Sequence, residues 1–392
     1  MRLHLLALIA ALSLANGASA QSCGGDFGKF VVGLVAEAPK HGIDPATAKG
    51  FLAGVKQDAK VLKADRAQGI FQSGFIDFSR KLISQNRMDR GKLMAQKYNA
   101  IFNRIEREYG IARGVLLAFW AFETDFGAFQ GDYNTRNALV TLAHDCRRPE
   151  LFRPQVFAAM KLFARGDFDP ATTTGAWAGE IGMVQMLPED ILVNGVDGDG
   201  DGHVTLKTSA PDALMSGAKM LSSLGWRAGE PWLQEVVLPA NFDWSLTGLQ
   251  EQRTASNWQS QARVKPRSGE MLRLDLPASI IIPQGRGGPA FLVYPNFNVL
   301  FEWNQSFTYV LTAAYFATRL EGAPVYNPGK PEPGLSGKEM VMLQKRLAAL
   351  GYDVGDIDGI LGAKTRDAVR EMQAKLGLPV DGWPTPALLA RL

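Results

Sequence analysis

The sequence predicts a mainly α chain in two parts: a large helical domain carrying a small β element, and a small three-helix C-terminal module. Three observations lead there. Ala is the commonest residue of 27–165, and Leu, Lys and Gln recur through it, which is a helical texture. Two β-branched and aromatic runs, 278–283 and 290–295, are bracketed by Gly285, Gly287 and Gly288 and read as short strands. Between Tyr326 and Gly334 stand Pro328, Pro331 and Pro333, which neither continue a helix nor fill a central strand. A Pro/Gly-rich linker at 326–335 therefore tethers residues 21–325 to a module at 336–392.

At the N-terminus, Arg2 precedes an apolar run from Leu5 to Leu14, and Ala18-Ser19-Ala20 offers a small-residue cleavage site. The run is shorter than the roughly 20 residues a membrane span needs, so residues 1–20 read as a cleaved export signal. The residues before Cys23 lack a lipoprotein pattern, which leaves the exported protein without a lipid anchor. Removing residues 1–20 takes away Arg2 and lowers the formal net charge from +3 to +2. No basic stripe with interleaved aromatics occurs, so nucleic acid is not an expected partner. Cys23 and Cys146 are the two cysteines, and in an exported chain such a pair is more often bonded than reduced.

Within the helical part, residues 115–122 form eight consecutive apolar residues, followed by Glu123. This run reads as a helix buried on all sides, with Gly127 as its stop. A carboxyl at its end is partly desolvated, which disfavours the anion and raises the pKa, as a general acid for glycoside cleavage requires. By itself the run also fits a helix end that reaches water. Asp125, two residues on, points away from Glu123 on helical geometry.

Residues 197–204 match the first eight positions of an EF-hand loop, with Asp197, Asp199 and Asp201 as ligands, Gly202 at the turn, and His203 next. Position twelve is Thr208 where a Glu is expected, so a metal would need Asp212 or water and would bind weakly; the same residues also fit a Gly and Asp loop without metal. Residues 307–320 return to helix. In the C-terminal module, Met340, Leu343, Leu347 and Leu350 share one helical face, and Val369, Met372 and Leu376 form a second stripe. Thr365 is placed to cap that second helix.

Asp358, Gly359, Gly362 and Thr365 form Asp-Gly-x-x-Gly-x-x-Thr, with Leu-Gly-Tyr before it and Leu-Gly-Leu-x-x-Asp-Gly after it. This pattern resembles the three-helix peptidoglycan-binding domain and implies anchorage to wall polymer. Upstream stand the Glu-Thr-x-x-Gly helix end at Glu123, the Gly-x-x-Gly-x-x-Gln-x-x-Pro turn from Gly179 to Pro188, the Gly-Asp-Gly-His loop, and a late Pro-Asn-Phe plus Asn-x-Ser segment. Their order and spacing from about Phe27 to Leu320 resemble the membrane-bound lytic murein transglycosylase B family. The resemblance implies a lysozyme-like helical catalytic domain in the periplasm, acting on peptidoglycan glycan strands. The bond cleaved is the β-1,4 link between N-acetylmuramic acid and N-acetylglucosamine, and a 1,6-anhydro ring forms in place of water addition.

By the same resemblance Glu123 is the single catalytic residue, acid and then base, no cofactor is required, and a weakly held calcium ion in the 197–204 loop has a structural role. Tyr133, Gln185, Asn304 and Tyr309 fall at saccharide positions, and Arg147 and Arg148 at a basic pair that reaches acidic substrate groups. Ala176 and Met183 depart from the family's Ser and aromatic. Glu180 stands where a small residue is usual, and a structural role is expected of it ahead of a substrate contact. A monomer is expected, with wall-synthesis proteins as candidate partners. Two rivals remain: a hydrolase of the same bond, with Asp132 or Glu180 positioning water, and a non-catalytic wall-binding scaffold.

Overall fold

Helices enclose the Arg113–Thr124 helix, whose residues 114–121 are all buried, and this places the apolar run at the centre of the domain. The computed structural model describes residues 23–67, 73–268 and 270–392. The expected export signal, residues 1–20, lies outside them. Gln85–Lys97, Ala210–Ser223 and Phe307–Leu320 pack on the central helix, and Thr135–His144 pairs with Pro149–Arg165 beside it. Gly114 makes the closest of these contacts possible: a Cβ there would lie 2.6 Å from the Ala317 carbonyl oxygen on the Phe307–Leu320 helix.

The two expected strands form, as Pro277–Ile281 and Ala290–Val293, but they belong to a larger sheet. Its antiparallel order is Gln252–Thr254, Pro277–Ile281, Ala290–Val293, Leu233–Val237, Lys265–Pro266. Leu233–Val237, Gln252–Thr254 and Lys265–Pro266 are not read as strands from the sequence; the last two are short and polar. The sheet has its own core around Trp258, Leu292 and Tyr294. A separate two-stranded ladder pairs Tyr133–Asn134 with Thr174–Gly175.

The central helix stops earlier than Gly127. Asp125 takes a left-handed conformation (φ 49°) and caps it, and its carboxylate binds Arg87 at 3.2 Å and Arg90 at 2.5 Å. Those ion pairs hold the unusual backbone in place. Cys23 is bonded to Cys146, and the Gly24 amide donates to the His144 carbonyl, which fastens the N-terminal segment to the domain.

In the C-terminal module, Ser336 and Glu339 form a capping box at the start of Gly337–Ala349. The second helix, Ala363–Lys375, is capped by Gly362 and not by Thr365. Thr365 is turned inward instead: its hydroxyl donates to the Val354 carbonyl and accepts from Gln344. The buried Gln344 amide also reaches Asp358, and its oxygen accepts from the Gly359 amide, where φ is +82°. The Asp-Gly-x-x-Gly-x-x-Thr pattern is thus a loop wrapped around one glutamine.

The linker does not hang free. Tyr326 is buried with its hydroxyl on Ser79, the Lys330 amide donates to the Gly287 carbonyl, and the Trp383 indole donates to the Glu332 carbonyl. Trp383 belongs to the module, so the Pro-rich segment is clamped between the two parts.

Candidate active site

Glu123 lies in the last turn of the central helix with a half-buried side chain. Two groups from the late segment reach its Oε1: the Tyr309 hydroxyl donates at 2.5 Å and the Trp303 indole N–H at 3.3 Å. Both arrive because Phe307–Leu320 lies against the central helix and Pro295–Trp303 ends beside it. Trp303 stacks on Phe119 with ring centroids 4.4 Å apart, and Tyr309 meets Phe122 edge-on. Burial pushes the Glu123 pKa up to about 7; the two donors, which favour the anion, pull against it, and the neighbouring Glu180 carboxyl adds to the rise. Tyr309 is itself held well above its ordinary value by burial and by Glu123, so it stays a phenol and a donor.

The floor of the site is the loop that carries Gln185. The Thr124 hydroxyl donates to the Met183 carbonyl at 2.6 Å, tying that loop to the end of the central helix. Gln185 has φ 54°, and its amide nitrogen donates to the Gly182 carbonyl at 2.7 Å and the Gln130 carbonyl at 3.4 Å. The amide nitrogen braces the turn, and among the described residues the amide oxygen has no hydrogen-bond partner. Glu180 precedes this turn. Its backbone carbonyl accepts from the Ala176 amide, while its carboxyl is buried, raised in pKa and has one oxygen without a hydrogen-bond partner.

Tyr133 is half-buried in the two-stranded ladder, and Asn304 accepts from the Ser306 amide as the chain turns into the next helix. Arg147 and Arg148 are neither loose nor merely solvated, since both bind the buried Asp65 carboxylate. Arg148 lies close enough to Glu180 to favour its ionised form. Asp132 is exposed. Trp303 stands in the late motif segment but is given no role from the sequence, and Asp65 is not singled out. Trp303 could have been suspected from its place beside Asn304, but nothing local marks Asp65.

In the acidic loop the structure gathers Asp197, Asp199 and Asp212, one oxygen from each lying within 4.8 Å of the others. Asp201 and His203 are not part of this group. Asp201 accepts from the His203 amide, and the His203 ring faces Asp167 at 3.1 Å.

Residues 26–318 match the transglycosylase SLT domain family, and residues 336–392 match the putative peptidoglycan binding domain. The chain belongs to the SLT transglycosylases. This transglycosylase is similar to SltB3 from Pseudomonas aeruginosa, solved in complex with NAG-anhNAM-pentapeptide, at 35% identity and a TM-score of 0.86, covering 94% of this chain and 99% of that one. It is 25% identical over 294 residues to the membrane-bound lytic murein transglycosylase B of Escherichia coli, covering 69% of this chain and 77% of that relative. The Escherichia coli lytic transglycosylase Slt35, solved in complex with calcium, shares the fold at 23% identity and a TM-score of 0.64, over 78% of this chain and 97% of that one. The transglycosylase thus has the lysozyme-like helical catalytic domain expected, followed by a helical module.

Proposed function

We propose that this transglycosylase is exported to the periplasm and cleaves the β-1,4 bond between N-acetylmuramic acid and N-acetylglucosamine in peptidoglycan, leaving 1,6-anhydromuramic acid ends. The observation that carries this reading is the Glu123 carboxyl, poised at a pKa of about 7 under two side-chain donors. A carboxyl so poised is protonated often enough to deliver its proton to the leaving glycosidic oxygen. Once ionised, it is stabilised by Tyr309 and Trp303, and it takes the proton of the sugar's own 6-hydroxyl. That oxygen bonds to the anomeric carbon, the acetamido group having stabilised the charge between the two steps. Glu123 ends protonated as it began, no water is consumed, and neither a second carboxylate nor a cofactor is needed.

Gln185 offers its amide oxygen to the substrate, and Tyr133 and Asn304 flank the saccharide path. Arg147 and Arg148, preorganised by Asp65, face acidic substituents of the strand. The C-terminal module holds the polymer, the protein works as a monomer, and wall-synthesis proteins are its candidate partners. Support comes from the two matching domain families and from a similar enzyme solved with peptidoglycan fragments.

The acidic loop fits a calcium ion. Three carboxylates held this close repel one another, and hard oxygen ligands suit that cation. Asp197, Asp199 and Asp212 would hold it, with a structural effect on the loop. Backbone amides already satisfy much of this charge: Gly200 and Gly202 donate to Asp197, and Gly198 donates to Asp212. A weak site follows.

The products decide the reaction. Mass spectrometry of digested sacculi is expected to show muropeptides lighter by one water than those of a hydrolase. Products that incorporate oxygen from labelled water would establish hydrolysis instead, with Glu180 the first candidate to position it.

A further inference from the structure

We propose that the cavity between the catalytic domain and the C-terminal module binds the carboxylate end of a peptide, held by the Arg366 guanidinium and the Gln284 amide. The proposal rests on the peptidoglycan reading, whose stem peptides are the acidic peptides at hand. Arg366 is 8% exposed, yet among the described residues it makes no salt bridge. One of its nitrogens donates to the Pro283 carbonyl at 2.8 Å, and its Nε has no partner. Phe307 of the catalytic domain and Trp383 of the module flank the guanidinium at 5.0 and 5.9 Å. The nearby Asp381 carboxylate is occupied elsewhere, by Gln373 and by the amides of Arg286 and Trp383. A buried cation with unused donors is costly unless an anion completes it, and burial together with Arg370 pushes the Arg366 pKa down to about 9.

Arg366 lines a cavity of about 210 Å³, and Gln284, Phe307, Met340, Leu361 and Trp383 line it too. Gln284 spends its oxygen on the Ile76 amide at 2.7 Å, while its amide nitrogen has no described acceptor. The cavity is smaller than the roughly 300–1,000 Å³ of sites that enclose whole drug-sized ligands, so it suits a chain end more than a run of saccharides. A planar guanidinium pairs with a carboxylate through two parallel hydrogen bonds, and the amide adds a third donor. Phe307, Met340, Leu361 and Trp383 offer apolar contact within a lining that also carries Ser73, Thr308 and Asp77, the last forming no salt bridge with Arg366. Residues from both domains build the cavity, so an occupied site would also strengthen the contact between them.

The test titrates a free, sugarless stem pentapeptide into the full-length Glu123→Gln protein, following the Trp383 indole N–H resonance by NMR. A saturable shift is expected, at least tenfold weaker for the same peptide with its carboxyls amidated. Gln284→Glu keeps the acceptor for Ile76 but places a competing carboxylate beside Arg366, and it should weaken binding at least tenfold while holding or raising the melting temperature. No Trp383 shift, an equal shift from the amidated peptide, or an equal shift from a peptide-free NAG-NAM disaccharide would each overturn the proposal. The amidated-peptide comparison uses no change at the cavity, so it decides even if Gln284→Glu folds poorly. Wild-type protein that degrades sacculi but shows no shift sinks this proposal alone, whereas failure to degrade sacculi sinks the substrate reading first.

Discussion

Glu123 carries opposing demands, because the burial that makes it a good acid also makes its anion expensive. Its folded pKa of about 7 lies above the 4.5 of an unperturbed glutamate. Below pH 4.5 the carboxyl is protonated in both the folded and unfolded states and costs nothing. Between pH 4.5 and about 7 the unfolded chain ionises while the folded carboxyl keeps its proton, so stability is lost across that window and stays lower above it. Glu123→Gln should therefore stabilise the protein above pH 7 by up to about 3 kcal/mol and change little below pH 4.5, as thermal or urea unfolding across pH would show. Activity should fall as pH rises through about 7, where the acid is consumed. Tyr309→Phe removes a donor that favours the anion, so this alkaline limb should move upward by about one pH unit, read from the pH dependence of kcat/KM. Glu123 was legible in the sequence because a carboxyl at the end of eight apolar residues is anomalous wherever it occurs. Its partners were not legible as partners: Trp303 and Tyr309 stand 180 and 186 residues away, and only helix packing brings them to Oε1.

Elements place these residues through a few close approaches that tolerate no side chain. Gly131 has φ +83°, and a Cβ there would fall 2.1 Å from the Gly175 carbonyl oxygen, a backbone atom that cannot move aside cheaply. Gly131→Ala should part the Tyr133–Asn134 ladder from Thr174–Gly175, lowering stability by about 2 kcal/mol or more and reducing activity with it, measured by unfolding and sacculus turnover together. Patterns of period 3.6 gave the helices, and β-branched runs gave two strands. Gln252–Thr254 and Lys265–Pro266 were not readable, since polar edge strands owe their conformation to the neighbours that pair with them. The stop of the central helix was misplaced for a similar reason. Asp125 adopts a left-handed backbone because Arg87 and Arg90 reward it, and neither arginine is local in sequence.

Across the whole molecule, distant attachments turn separable pieces into one body. The Cys23–Cys146 bond spans 123 residues, so Cys146→Ser should cost about 2–5 kcal/mol, visible as a lower melting temperature that reductant reproduces in the wild type. Millimolar calcium should raise the melting temperature, and Asp199→Asn should abolish that rise if the acidic loop binds the ion. The division at the Pro-rich segment was plain from composition. That the segment is clamped was not, because the Trp383–Glu332 and Lys330–Gly287 bonds depend on surfaces that exist only after both parts fold.

Whether one carboxyl performs both proton transfers is read from the anhydro-muropeptides that wild type, Glu123→Gln and Glu180→Gln release from sacculi. Glu123→Gln should lose activity by a factor of roughly 10² or more, and Glu180→Gln should keep releasing anhydro products. Loss of those products in Glu180→Gln with Glu123→Gln still active, or equal loss in both folded variants, would take the two proton transfers away from Glu123 alone.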